Sequence, residues 1–158
     1  MNQPLSYVHP GAKIDKSVVI EPFVTIENNV VIGRGTWIGS NVTIMEGSRI
    51  GENCRIQGCV YIADKCIIGN NVFIGPNATI TNDRHPPSQG KWKPVIVEDE
   101  VVIGGNATIV AGVRLNTGCV IAAGAVVTSD IPANQVWGGI PAKHLMTREE
   151  YNSRRDQD

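Results

Sequence analysis

Aromatic residues supply only 5% of this 158-residue chain, which suits an interior too narrow for rings and filled by branched aliphatic side chains. Net charge is equally scarce. Fourteen Lys and Arg against 15 Asp and Glu leave a formal −1, which removes any general attraction to nucleic acid or anionic lipid. The apolar residues are spaced rather than continuous, so no segment is long enough to span a bilayer. The opening MNQPLSYVHP lacks the apolar stretch of a secretory signal. A cytoplasmic protein with no membrane and no nucleic-acid partner is therefore expected. Histidine is also rare, with His9, His85 and His144 widely separated.

What the chain has is a ruler. Isoleucine or valine recurs every sixth residue from Val8 through Ile14, Ile20 and Ile26 to Ile80, and again from Val97 through Ile103 and Ile109 to Val127. Leu115 takes one place in the second run. Four residues after each ruler position the side chain is small or β-branched, as in Ala12, Val18, Val24, Thr36, Ser48, Ala78, Ala107 and Ala125. Neither a helix of period 3.6 nor an alternating strand gives a period of six with two fixed inward positions. A coil with three flat sides and three tight corners does. One unit cannot bury its own apolar side chain and is stable only when stacked on neighbours. Three units close an 18-residue turn, so the nineteen units predict a little over six turns, a stack roughly 30 Å tall. The expectation is one domain, with coils over about 8–135, an extruded loop at 81–95 and a tail at 136–158.

The register sorts the four cysteines. Cys54, Cys66 and Cys119 occupy the small inward position and are expected to pack as small hydrophobes. Cys59 falls at a corner and is expected to be exposed.

Between Ile80 and Val97 the ruler fails, because seventeen residues separate two positions that six would normally separate. The stretch TNDRHPPSQGKWKPV carries three prolines and a concentration of charge, so it must leave the coil as a loop. Rigid scaffolds commonly place function on such excursions. His85 is a candidate general base and Asp83 a candidate to orient it. Arg84 and Trp92 are candidates to touch the substrate. Elsewhere, Gly104, Gly105, Ala122, Ala123 and Gly124 offer nearly bare backbone on successive turns. An extended thioester-bearing arm could lie close there and pair with main-chain groups. Corner glycines needed only for turning are the alternative reading.

The order of these words resembles a known family. Ile80 to Pro86 reads ITNDRHP, followed by IGGNATIVAGV (103–113), AAGAVVTSDIP (122–132) and VWGGIPAKHL (136–145). The pattern is similar to hexapeptide-repeat acyltransferases, and in its loop to the N-acetyltransferases that modify dTDP- or UDP-linked amino sugars. The resemblance implies an all-β, single-stranded left-handed parallel β-helix, a homotrimer, and acetyl-CoA as co-substrate with no metal. It implies that Asn82 lies beside the acceptor amine and that Pro141 lies near the CoA; Lys143 is placed to meet a CoA phosphate, the alternative being a lysine on a solvated tail. In some relatives the departing CoA sulfur, rather than a protein base, receives the proton. Pro87 stands where the family often has arginine, and Trp137 and Gly138 replace commoner small apolar residues.

Other readings compete. Transfer to a sugar hydroxyl is the runner-up, and a hydroxyl needs a base more than an amine does. The first fifty residues resemble UDP-N-acetylglucosamine O-acyltransferases, but no histidine lies between His9 and His85 to serve as their catalytic residue. A γ-carbonic anhydrase needs three histidines on neighbouring coils, and these are scattered. A non-catalytic binding surface would want unbroken threonine ranks, whereas Tyr61 interrupts Thr25, Thr43 and Thr79. In the tail, Thr147 and Glu150 fit a capping box and predict a short helix.

Overall fold

In the computed structural model, which describes residues 5–157, nineteen two-residue strands run from Tyr7–Val8 to Val126–Val127. The second residue of every one is a ruler position. Three parallel sheets result, and the chain is a left-handed β-helix. The first face begins at Tyr7–Val8, the second at Lys13–Ile14 and the third at Val19–Ile20. Thr25 lies over Tyr7 and Thr43 over Thr25, one coil apart. Thr108 joins the threonine rank on this face next to Thr79, a neighbour hidden in sequence by the extra residues between them.

The ruler makes the core. Ile26, Ile38, Ile44, Ile56, Ile62, Ile74, Ile80, Ile103 and Ile109 are all fully buried. Each contributes about 2 kcal/mol of apolar burial, although only within the stack. In the first coil, where neighbours lie on one side, Val8, Ile14 and Ile20 are only partly buried. Cys54, Cys66 and Cys119 are buried and Cys59 is exposed. Burial pushes the Cys66 thiol up to about 11 and the Cys119 thiol up to about 12, so neither is a thiolate nucleophile near neutral pH.

Most corners turn on one residue with positive φ, and at many of them its N–H bonds the preceding coil. Asn41, Cys59, Asn77 and Asn106 do this at the corner leading from the third face back to the first, donating to the carbonyls of Pro22, Ser40, Gly58 and Pro76. Asparagine is the least strained non-glycine residue in that conformation. The corner between the second and third faces is stitched by side chains as well. Asn70 accepts from the Glu52 N–H, Asp99 accepts from the Asn70 N–H, and Glu98 accepts from the Thr117 N–H and hydroxyl.

Two boundaries differ from the six-residue count. The coil still holds Thr81, whose N–H donates to the Ile109 carbonyl, and it resumes at the fully buried Val95. The excursion is therefore 82–94, not 81–95. At the other end the prism continues past Val127. Ile131 bridges Leu115, and strand Gln135–Gly138 runs parallel to Val120–Ile121. This last coil has sixteen residues rather than eighteen, its corner drawn in as Asp130 accepts from the Arg114 N–H, so counting by sixes misses it. The residues assigned to a tail from 136 instead complete the third face. Strand Lys143–Thr147 returns antiparallel along Gln135–Gly138, and helix α1 (Arg148–Arg155) follows with the capping box of Thr147 and Glu150 formed. Arg148 ties the helix to the Gly118 carbonyl at 3.0 Å. Among the described residues, no helix is long and apolar enough to cross a membrane.

Candidate active site

The excursion leaves the corner between the first and second faces, and its neck is closed by the chain itself. The Lys93 N–H donates to the Asn82 carbonyl at 2.7 Å. Asn82 Nδ2 donates to Asp64 Oδ2 at 3.2 Å, one coil earlier at the same corner. Asp83, expected to orient His85, spends its oxygens on the loop backbone instead. Oδ1 accepts from the His85 N–H at 3.1 Å and Oδ2 from the Ser88 N–H at 2.9 Å. The carboxylate forms an Asx-type turn, capping the N–H two residues on, so the loop bends around it and it is satisfied by backbone rather than by the ring. His85 is exposed, and among the described residues no hydrogen bond holds its imidazole. Arg84, expected at the substrate, clamps the loop to the prism by donating to the carbonyls of Ala111 at 3.2 Å and Thr128 at 3.0 Å. Trp92 is half exposed. A cavity of about 510 Å3 remains, lined by Asp83, Arg84, His85, Pro87, Ser88, Gln89, Lys91 and Lys93.

Asp83 is expected to make the order of the loop depend on pH. The Ser88 backbone hydrogen bond, chiefly, holds its carboxyl below the usual aspartate range. A depressed folded pKa contributes order fully above the unfolded value, about 4, and loses it as pH falls through the lower folded value. Hydrogen-exchange protection of the His85 and Ser88 amides, corrected for intrinsic rate, is therefore expected to drop on acidification below about pH 4. Asp83→Ala should show the low protection already at neutral pH, and equal protection in the two proteins would refute this role.

The small residues gather at a different corner, between the third and first faces. Gly104 and Gly105 lie directly under Ala122 and Ala123, one coil apart, and the Gly124 N–H donates to the Gly105 carbonyl at 2.8 Å. The chain returns over them, with the Val126 N–H donating to the Gly139 carbonyl and the Ala142 N–H to the Val126 carbonyl. Pro141 therefore sits at this corner, and Lys143 pairs with Gly138 beside it. All seven residues expected at the CoA are brought around one edge of the prism. They are not equivalent. A Cβ on Gly104 would meet Ala123 N at 2.4 Å, so stacking alone demands glycine there. Gly124 has φ +70°, and a Cβ would meet nothing within 4 Å. Ala123 and Gly124 are exposed, leaving bare backbone open to a ligand.

The loop corner and the bare corner flank the first face from opposite sides, so a single chain does not bring Asn82 and His85 onto the small residues. Sequence reasoning missed Asp64, although its place eighteen residues before Asn82 puts both at one corner. It also missed Lys91 and Lys93, which line the cavity, whereas Trp92 between them, expected at the substrate, does not.

Comparison with known proteins agrees with this architecture. Residues 47–82 match the bacterial transferase hexapeptide (six repeats), residues 94–129 the hexapeptide repeat of succinyl-transferase, and residues 2–61 the GMPPB C-terminal domain. The two hexapeptide matches stop and restart on either side of the loop. A 2,3,4,5-tetrahydropyridine-2,6-dicarboxylate N-acetyltransferase of Staphylococcus aureus is 47% identical over 73 residues, covering 46% of this chain and 29% of its own length. The chain thus spans less than a third of that curated relative. Among solved structures, a candidate acetyltransferase, the BC4754 gene product of Bacillus cereus, superposes with TM-score 0.66 at 23% identity over 92% of this chain and 86% of its own. LpxA, a UDP-N-acetylglucosamine acyltransferase from Bacteroides fragilis, gives 0.61 at 20% identity, covering 98% and 78%. At these identities the likeness establishes a shared fold.

Proposed function

We propose, for a chain built of the hexapeptide repeats of bacterial transferases, an acetyl-CoA-dependent N-acetyltransferase acting on the amino group of a nucleotide-linked amino sugar. The observation that carries the reading is the single corner holding Gly105, Ala123 and Gly124 beneath the returning Gly139–Pro141 segment. It offers an extended pantetheine arm close approach to backbone on two successive coils. The CoA supplies the acetyl thioester, and Lys143 is the cation beside this corner for a CoA phosphate.

In this reading the neutral amine nitrogen attacks the thioester carbonyl carbon, the C–S bond breaks, and the amine proton leaves as the amide forms. Asn82 positions the amine. Because no hydrogen bond among the described residues holds the His85 imidazole, the departing thiolate is the favoured proton acceptor. The same feature argues against a hydroxyl acceptor, which would need an oriented base. The loop corner of one copy and the bare corner of another would meet across the first face in a cyclic assembly, and we infer a homotrimer on that ground. A second amine acceptor, one bearing carboxylates, is favoured by a single observation. The Staphylococcus aureus relative is named for a dicarboxylate, and Lys91 and Lys93 line the loop cavity.

The test is thiol release from acetyl-CoA with a panel of dTDP- and UDP-amino sugars, their hydroxyl analogues and amino dicarboxylates. Turnover of an amino sugar is expected. Turnover of hydroxyl analogues alone would overturn N-transfer, and turnover of amino dicarboxylates alone would reassign the acceptor.

A further inference from the structure

We propose that Asp64 is a positioning residue that fixes the Asn82 side-chain amide so that Asn82 offers its oxygen, not its nitrogen, to the acceptor; this rests on the acetyl-transfer reading above. Asn82 Nδ2 lies 3.2 Å from Asp64 Oδ2. An ionised carboxylate only accepts, so the amide must turn its NH2 toward Asp64. Oδ1 is then the end left for a ligand.

The surrounding bonds leave this amide little other freedom. The Asn82 carbonyl accepts the Lys93 N–H at 2.7 Å. Immediately before it, the Thr81 hydroxyl donates to the Ile109 carbonyl at 3.2 Å and accepts the Ala111 N–H at 2.9 Å. With the backbone held on both sides of a half-buried residue, the remaining choice is which end of the amide faces out. Without Asp64, a half-turn presents NH2, a donor that opposes an incoming amine. With Asp64, the exposed oxygen accepts an N–H and refuses a carboxylate or phosphate oxygen. The selectivity for nitrogen is thus set one coil away from the group that touches the substrate.

The chain with Asp64→Ala or Asp64→Asn tests this through two readouts. In kinetics, Asp64→Ala is expected to lower kcat on the amine acceptor about 10- to 100-fold with KM for acetyl-CoA unchanged, and to have no further effect in an Asn82→Ala background. An equal loss in both backgrounds, or no loss, would overturn the proposal. Asp64→Asn is close to isosteric and lets the amide take either orientation, so it should reproduce the loss with an unaltered melting temperature. In NMR of protein labelled with 15N in asparagine side chains, the Asn82 amide protons are expected to exchange slowly, and to lose that protection in Asp64→Asn. Unchanged protection would overturn the pairing whatever the activity. A wild-type chain that acetylates no amine would instead defeat the acetyl-transfer reading, with the amide protons still deciding the role of Asp64.

Discussion

Asn82→Ala is expected to lower kcat/KM for an amine acceptor by about 100-fold or more, while His85→Ala costs less than about tenfold, well under the contribution of a working general base. The contrast follows from how each side chain is held. Asn82 sits at the neck of the loop, its carbonyl bonded to the Lys93 N–H and its amide to Asp64. A group fixed on both sides presents one geometry, and in the proposed reaction losing it would lose the alignment of the amine with the thioester. His85 is exposed, and the carboxylate nearest in sequence is occupied with the His85 and Ser88 N–H groups. An imidazole free to rotate spends little time in line with a proton. Steady-state kinetics of the two variants, with the pH dependence of kcat/KM, separates the cases. If His85→Ala removes activity and abolishes the acidic limb of the pH profile, the proton goes to His85 and not to the thiolate.

The fold was legible because its physics repeats. An inward residue that works once, such as Ile26, must work again at Ile44 and Ile62, so the period reports geometry directly. The same regularity sorted the cysteines and located the excursion. What escaped notice lay where spacing departs from six. The last coil was hidden by a corner two residues short at Asp130 and Ile131, and Thr108 was concealed from its rank by the insertion. The site was less legible for a different reason. Which way a loop side chain points depends on what satisfies it, and chain order carries little of that. Asp83 beside His85 reads as a dyad on paper, yet backbone amides claimed the carboxylate. Arg84 reads as a substrate contact, yet the carbonyls of Ala111 and Thr128 hold it. Asp64 could have been found by adding one coil's length to the register, because side chains eighteen residues apart stack.

Two glycines at the bare corner should respond in opposite ways, and the difference separates packing from ligand binding. A Cβ on Gly104 would lie 2.4 Å from Ala123 N and 2.8 Å from Ala122 C, both backbone atoms of the next coil. Neither can move without opening the stack, so Gly104→Ala is expected to destabilise by about 3 kcal/mol, which lowers the melting temperature by roughly 6–12 °C in a chain of this size. Gly124 occupies the same corner one coil after Asn106, with φ +70° against +58° there and +59° at Asn77. Asparagine is thus at home in that conformation, and the space beyond a Cβ is open. Gly124→Asn should change stability by no more than about 0.5 kcal/mol. Its amide would nevertheless project over the backbone where the pantetheine arm is proposed to lie. KM for acetyl-CoA is expected to rise about tenfold, the equivalent of one lost close contact of about 1.4 kcal/mol, with KM for the acceptor unmoved. Thermal melts and two-substrate kinetics on the same pair of variants give both answers. A Gly124→Asn protein that binds acetyl-CoA as tightly as the parent would place the cofactor at another edge of the prism, and would leave the small residues of this corner explained by stacking alone.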